Sequence, residues 1–246
     1  MAQRQRSGIL GRLWPKPRGV AASASPSATA AVSGTHPLDG PPPVGLNDRL
    51  AGGNRPVLGS DWIWRPDVFS RQDGALDCRN PARRRDLSAD LVLYHDADML
   101  DLSLRQNAQQ GDGLPPLGVE LELGGFDGSF LSLAVALPAA AARGLELRHL
   151  IRLDLLADVA LHDRHAVQVF ARLNVQHGPN VEQLVSDLSL PAGGAAVAVA
   201  EFDLAYGTIS ERRIEALWLD LIFEAPPAGR VVLRDLTLSR CPRAAL

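Results

Sequence analysis

Lysine is almost missing from this chain: Lys16 stands alone among 25 basic residues, and the rest are arginine. With the many Ala, Gly, Leu and Pro residues, that bias reads as GC-rich bacterial coding more than as a physical adaptation. A basic surplus is missing too. The net charge of −3 argues against a nucleic-acid binder, which carries excess cations on one face. Cys78 and Cys241 are the only thiols, and their distance in sequence leaves both pairing and free thiols open. CxxC and HExxH are absent, so no zinc framework is expected, nor any other metal or cofactor. No GxSxG occurs, so the nucleophile elbow is missing. Apolar runs are too short to span a bilayer, and the N-terminus lacks the uninterrupted apolar core of a secretory signal. A cytoplasmic address is the expectation that follows. Helix-period patterning is missing as well, apart from a turn near Ser210–Ala216.

Two regions remain. Residues 1–57 read as a basic, disordered tail: Arg4, Arg6, Arg12, Lys16 and Arg18 precede the first acid, Asp39. "AASASPSATAAVSGT" and "GPPPVG" then offer too little apolar surface to offset the cost of ordering. Within the tail, Ile9, Leu10, Leu13 and Trp14 share one side of a two-turn helix, so an interfacial membrane contact is the sharper alternative to a plain leader. Residues 58–246 read as one domain, large enough to bury its own core.

"GSDWIWRPDVF" opens that domain, and Trp62, Trp64 and Phe69 are expected to pack the entry segment over a sheet edge. "NPARRRD" sets Arg83, Arg84 and Arg85 in a solvated loop. From Leu91 the pattern turns to short alternating runs. Strands are expected near 91–95, 101–105, 117–123, 129–137, 147–159, 167–176, 182–190, 196–206, 217–224 and 230–239, with turns such as "HGPN", "PAGG" and "APPAG" between them. Many strands without intervening helices mean an all-β fold, an antiparallel β-sandwich of jelly-roll-like form.

Alternation also assigns faces. Joining "HLIRLDLLADV" to "AVQVFARLNVQ" as a hairpin matches Leu153 with Leu173 and sets Asp154 beside Arg172 and Arg152 beside Asn174. Continuing through "HGPN" brings Asn174 to Gln183. Folding "LWLDLIFEAPPAGRVVLRDLTLSR" about Ala225–Gly229 pairs Asp220 with Arg234 and Glu224 with Arg230, with Trp218 on the face of Asp220. Asp235 then falls out of phase with Leu236 and Leu238, so a bulge is expected at Arg234–Asp235.

That closing stretch resembles the last hairpin of galactose-binding-like and carbohydrate-binding jelly rolls. The segments "GSDWIWRPDVF", "FDGSFLSLAVALP", "HLIRLD", "FARLNVQHGPNVEQ", "EFDLAY" and "LRDLTLSRCPRAAL" together resemble an uncharacterised alphaproteobacterial domain-of-unknown-function family across most of residues 59–246. The likeness implies a bacterial protein and supplies no activity. "EFDLAY" is also similar to the E-x-D-x-x-E strand of jelly-roll retaining glycosidases, whose two carboxyl groups must stand about 5–5.5 Å apart. Glu201 and Asp203 match its first two positions, but Tyr206 replaces the third acid. No catalytic residue is therefore assigned.

The expected ligand surface is a polar sheet face of Arg152, Asp154, Arg172, Asn174, Gln176, Trp218 and Asp220, leading to His177 and Asn180 in a turn. Amide and guanidinium groups suit hydroxyls or carboxylates, and an indole suits a sugar ring. The bland alternative is a self-paired, solvated face. A non-catalytic binding module, possible for carbohydrate, is the leading reading. The alternatives are an assembly subunit or peripheral membrane protein using the tail, and a jelly-roll glycoside hydrolase.

Overall fold

Period-two alternation puts every second side chain on one side of an extended chain, and two such surfaces bury their apolar sides against each other. A computed structural model describes residues 59–111, 113–162 and 165–243. The tail, with Ile9, Leu10, Leu13 and Trp14, lies outside the described residues.

Among the described residues the strands are β1 (Trp62–Trp64), β2 (Cys78–Arg79), β3 (Arg84–Asp86), β4 (Leu91–His95), β5 (Leu100–Ala108), β6 (Leu117–Phe126), β7 (Phe130–Ala136), β8 (His149–Leu161), β9 (Ala166–His177), β10 (Asn180–Pro191), β11 (Gly194–Asp203), β12 (Ile214–Glu224) and β13 (Gly229–Pro242). One helical turn, Ala139–Ala142, and a few 3-10 turns are the other elements among the described residues. The first sheet runs β11-β8-β13-β6-β5-β2, with β1 also on β13; the second runs β10-β9-β12-β7-β4-β3. All pairings are antiparallel, and the fold is a β-sandwich. The core lies between the sheets, with Ile151, Leu153 and Leu155 from β8 facing Val169, Leu173 and Val175 from β9, all buried.

Each strand expected from alternation is present, but two expected hairpins are not. β8 lies in the first sheet and β9 in the second; β12 lies in the second and β13 in the first. Leu153 and Leu173 therefore do not pair in one sheet but point into one core from opposite sides. Asp154 does not meet Arg172, Arg152 does not meet Asn174, and Asp220 does not meet Arg234. The reason is geometric: a short loop that crosses between sheets keeps both apolar sides inward, as a hairpin does. From β6 onward only the β9–β10 connection stays within a sheet. There the expected register holds, with Gln183 opposite Asn174.

The bulge is also where the phase slip puts it. β13 shifts register between Leu233 and Asp235, so Leu233 and Leu236 both face the core. β6 leaves β13 at Leu233, and β1 joins it at Leu238. The two tryptophans thus extend the sheet, stacked with ring centroids 6.4 Å apart, while Phe69 enters the core. Two boundaries need correction. Arg84 and Arg85 begin a short exposed edge strand, not a loop, because their backbone pairs with β4. The strand expected to reach residue 206 ends at Asp203, whose carboxylate accepts the Ala205 N–H and starts a 3-10 turn.

Candidate functional site

β9, β12 and β7 lie side by side at the middle of the second sheet, and their even-numbered residues point away from the core. Cross-strand register sets Trp218 between Asn174 and Ala136, Asp220 between Arg172 and Ala134, and Ile222 between Phe170 and Ser132. Tyr94 of β4 stands beyond Ser132. Small side chains along β7 therefore lie between larger ones on either side.

This face is buried despite its polarity. Arg172 is 1% exposed, Trp218 8%, and Asn174, Asp220 and Ser132 0%. One carboxylate oxygen collects the donors: Asp220 Oδ2 accepts from Arg172 Nε at 3.0 Å and Asn174 Nδ2 at 2.8 Å. Gln183 Nε2 donates to Asn174 Oδ1 at 3.0 Å and fixes which way that amide faces. The other oxygen, Asp220 Oδ1, is buried with no partner, as are Trp218 Nε1 and Ser132 Oγ. Each such atom costs about 1–3 kcal/mol relative to a satisfied one. Burial pushes the Asp220 carboxyl above its usual range, and the Arg172 charge and the Asn174 hydrogen bond only partly oppose it.

An open groove of about 330 Å³ lies past the end of β7, between it, the β3–β4 loop and the entry segment carried by the first sheet, and is bounded by Trp64, Asp67, Arg71, Asp73, Asp90 and Ala136. Ala136 is the cross-strand neighbour of Trp218, so the groove begins one strand away from the buried indole.

The expected ligand surface is thus divided. Arg172, Asn174, Trp218 and Asp220 come together. Arg152 and Asp154 sit on the outside of the first sheet, where Arg152 Nε binds Asp154 Oδ2 at 3.0 Å and Nη1 binds Glu201 Oε1 at 3.1 Å. Gln176 shares the second face but donates to Glu215 at 3.1 Å near its end. His177 has the opposite parity and turns inward, its Nδ1 accepting the Ser210 N–H at 3.3 Å. Asn180 is exposed at the start of β10. The sequence reading placed Gln183 beside Asn174 without counting it in the ligand surface, and it missed Ser132. Ser132 is visible in "FLSLAVA" as a hydroxyl interrupting an apolar run, on the parity of Ala134 and Ala136.

Among the described residues no group of three or more His, Cys, Asp or Glu is placed to hold a metal, and no helix is long and apolar enough to cross a membrane. The model of a family of unknown function, DUF6478, matches residues 51–246. The chain belongs to that family. No curated protein matches this DUF6478 chain. Similar solved structures include a family 11 carbohydrate-binding module from Clostridium thermocellum in complex with a β-1,3-1,4-mixed-linked tetrasaccharide, at 13% identity over 64% of this chain and 92% of that one, TM-score 0.44. A xylan-binding domain of carbohydrate-binding module family 22 is similar at 7% identity over 78% and 100%, TM-score 0.43. So is the enzymatically active domain of a bacteriophage CBA120 tailspike protein, at 7% identity over 63% and 19%, TM-score 0.43. Binding and enzymatic domains both occur among these neighbours, and likeness at this level transfers no ligand to the DUF6478 chain.

Proposed function

We propose that this DUF6478 member is a non-catalytic binding module for a neutral carbohydrate, held on the outer face of the second sheet and entered from the groove beside Trp218. One observation carries the reading: Trp218 Nε1, Asp220 Oδ1 and Ser132 Oγ are buried without partners on three adjacent rows of one face. Their capacities are complementary to a hydroxylated ligand. The indole donates, the carboxylate oxygen accepts, and the hydroxyl does both. A pair of sugar hydroxyls would satisfy all three while the indole offers an apolar surface to the ring. Arg172 and Asp220 neutralise each other, which favours an uncharged ligand over an acidic one. Because these atoms are buried, binding requires Trp218 to turn toward the groove that Ala136 already lines.

Titration calorimetry of the full chain against neutral oligosaccharides tests this. Trp218→Phe and Ser132→Ala should keep the wild-type circular dichroism and lose binding at least tenfold. Absence of heat for every neutral glycan at millimolar concentration would end the reading, as would unchanged affinity in both variants.

A further inference from the structure

Among the described residues five strands have a neighbour on one side only, β1, β2, β3, β10 and β11, and the first four are protected against pairing with another chain, β1 by its length of three residues. β2 has two residues, and β3 is three exposed charged residues, Arg84, Arg85 and Asp86. β10 carries Glu182 and Asp187 and ends in Pro191. Short length, charge and proline are the usual devices that keep an edge from recruiting a second edge. β11 has none of them from Gly194 to Ala200, where the chain reads "GAAVAVA". β8 takes one side of its backbone, and among the described residues no strand takes the other. Its outward side chains are apolar and open: Val197 is 73% exposed and Val199 41%.

The order of side chains names the partner. Residues 196–200 are Ala-Val-Ala-Val-Ala, a palindrome about Ala198. An antiparallel copy centred there would set Ala198 on its own equivalent and Val197 against Val199 of the partner subunit. Four valines would then form one continuous outward patch, while the inward alanines continue the core row across the junction. The two charges at the end of the edge are both held within the chain, Glu201 by Arg152 of β8 and Asp203 by Arg243. A symmetric pairing of this type is isologous and closes after two chains.

We infer that β11 is a self-association edge, joining two copies of this chain into a dimer with a continuous sheet. One strand pair buries less than the roughly 1,200–2,000 Å² of a stable interface, so the dimer dissociates on dilution. Light scattering and sedimentation of the full chain across a concentration series should show a mass rising reversibly toward twice the chain mass. Val197→Lys/Val199→Lys and Val197→Glu/Val199→Glu chains should each stay monomeric with wild-type circular dichroism, since both positions are on the surface. Mixed one to one, the two variants should recover the dimer. A wild-type chain that stays monomeric throughout the series overturns the inference. So do variants that still dimerise alone, or that fail to associate when mixed.

Discussion

The outer faces of the two sheets carry similar residue types and treat them differently. On the first sheet the charges form partnered sets: Arg152 with Asp154 and Glu201, Arg234 with Asp158, and Glu120 with Arg105 and Arg230. Most of these arginines keep a quarter or more of their side chain in water. The second sheet's central Arg172–Asp220 pair has almost no water, and one of its two carboxylate oxygens goes unused. Half-solvated networks cost little and stabilise little. A dry, incomplete cluster costs free energy, and each orphan atom in it calls for an explanation. The contrast is not absolute. Thr237 Oγ1 and Ser239 Oγ on the first sheet also lack partners, and Arg65 binds Asp235 there in a buried bidentate pair, at 2.7 and 2.8 Å. Thr237 and Ser239 share the face of Asp235 on β13, but the carboxylate there is fully used by the Arg65 fork, whereas on the second sheet the carboxylate itself has an unused oxygen.

The largest test of that contrast is to break the dry pair from one side. Arg172→Ala should destabilise the domain by about 3–5 kcal/mol by leaving a buried carboxylate unpaired. Replacing both partners, Arg172→Met with Asp220→Leu, should recover most of that loss in chemical denaturation. If the double variant is as unstable as the single one, burial of the lone charge is not the cause. On the first sheet Arg152→Ala should cost only about 0.2–1 kcal/mol, because its partners can turn to water. A loss as large as that of Arg172→Ala would erase the distinction between the faces. Smaller still, Ser132→Ala should leave stability within about 0.5 kcal/mol of wild type, or raise it, because it removes an orphan group while keeping the shape.

Two carboxylates should give opposite pH dependences. Burial acts most strongly on Asp96 and raises its pKa, but the Ser129 hydroxyl and the Phe130 and Ser129 N–H groups outweigh it and hold the carboxyl below its usual range. Its contribution is present above the unfolded value and lost as pH falls through the lowered folded value. The raised Asp220 carboxyl works the other way: its contribution is full below the ordinary carboxylate range and is lost as pH rises through the folded value. Melting temperature against pH should therefore fall less steeply on the acid side in Asp96→Asn, and decline less above the carboxylate range in Asp220→Asn. Identical profiles for the two variants would contradict this assignment.

Strand positions and faces were legible in the sequence because alternation is local. Strand partners were not. Leu153 and Leu173 satisfy the same pattern whether their strands pair in one sheet or oppose each other across the core, and nothing in "ALHDRH" distinguishes the two. That ambiguity brought Arg152 and Asp154 into the expected surface and gave Asp220 the wrong arginine. Parity alone was enough to group Arg172 with Asn174 and Trp218 with Asp220. The bulge could be read because a misphased Asp235 beside Leu236 demands one. Ser132 and the alanines of β7 were passed over because small side chains in an apolar run carry little pattern of their own.

The register shift in β13 also bears on the order in which the sheet closes. β13 follows every other strand in the sequence yet occupies the middle of the first sheet, with β8 on one flank and β6 then β1 on the other. As the polypeptide leaves the ribosome, three strand flanks must wait for this last insertion, and β1 waits longest, with Trp62 and Arg240 far apart in sequence. Such late, long-range zippering is slow, and until it happens the flanks of β8, β6 and β1 are open edges.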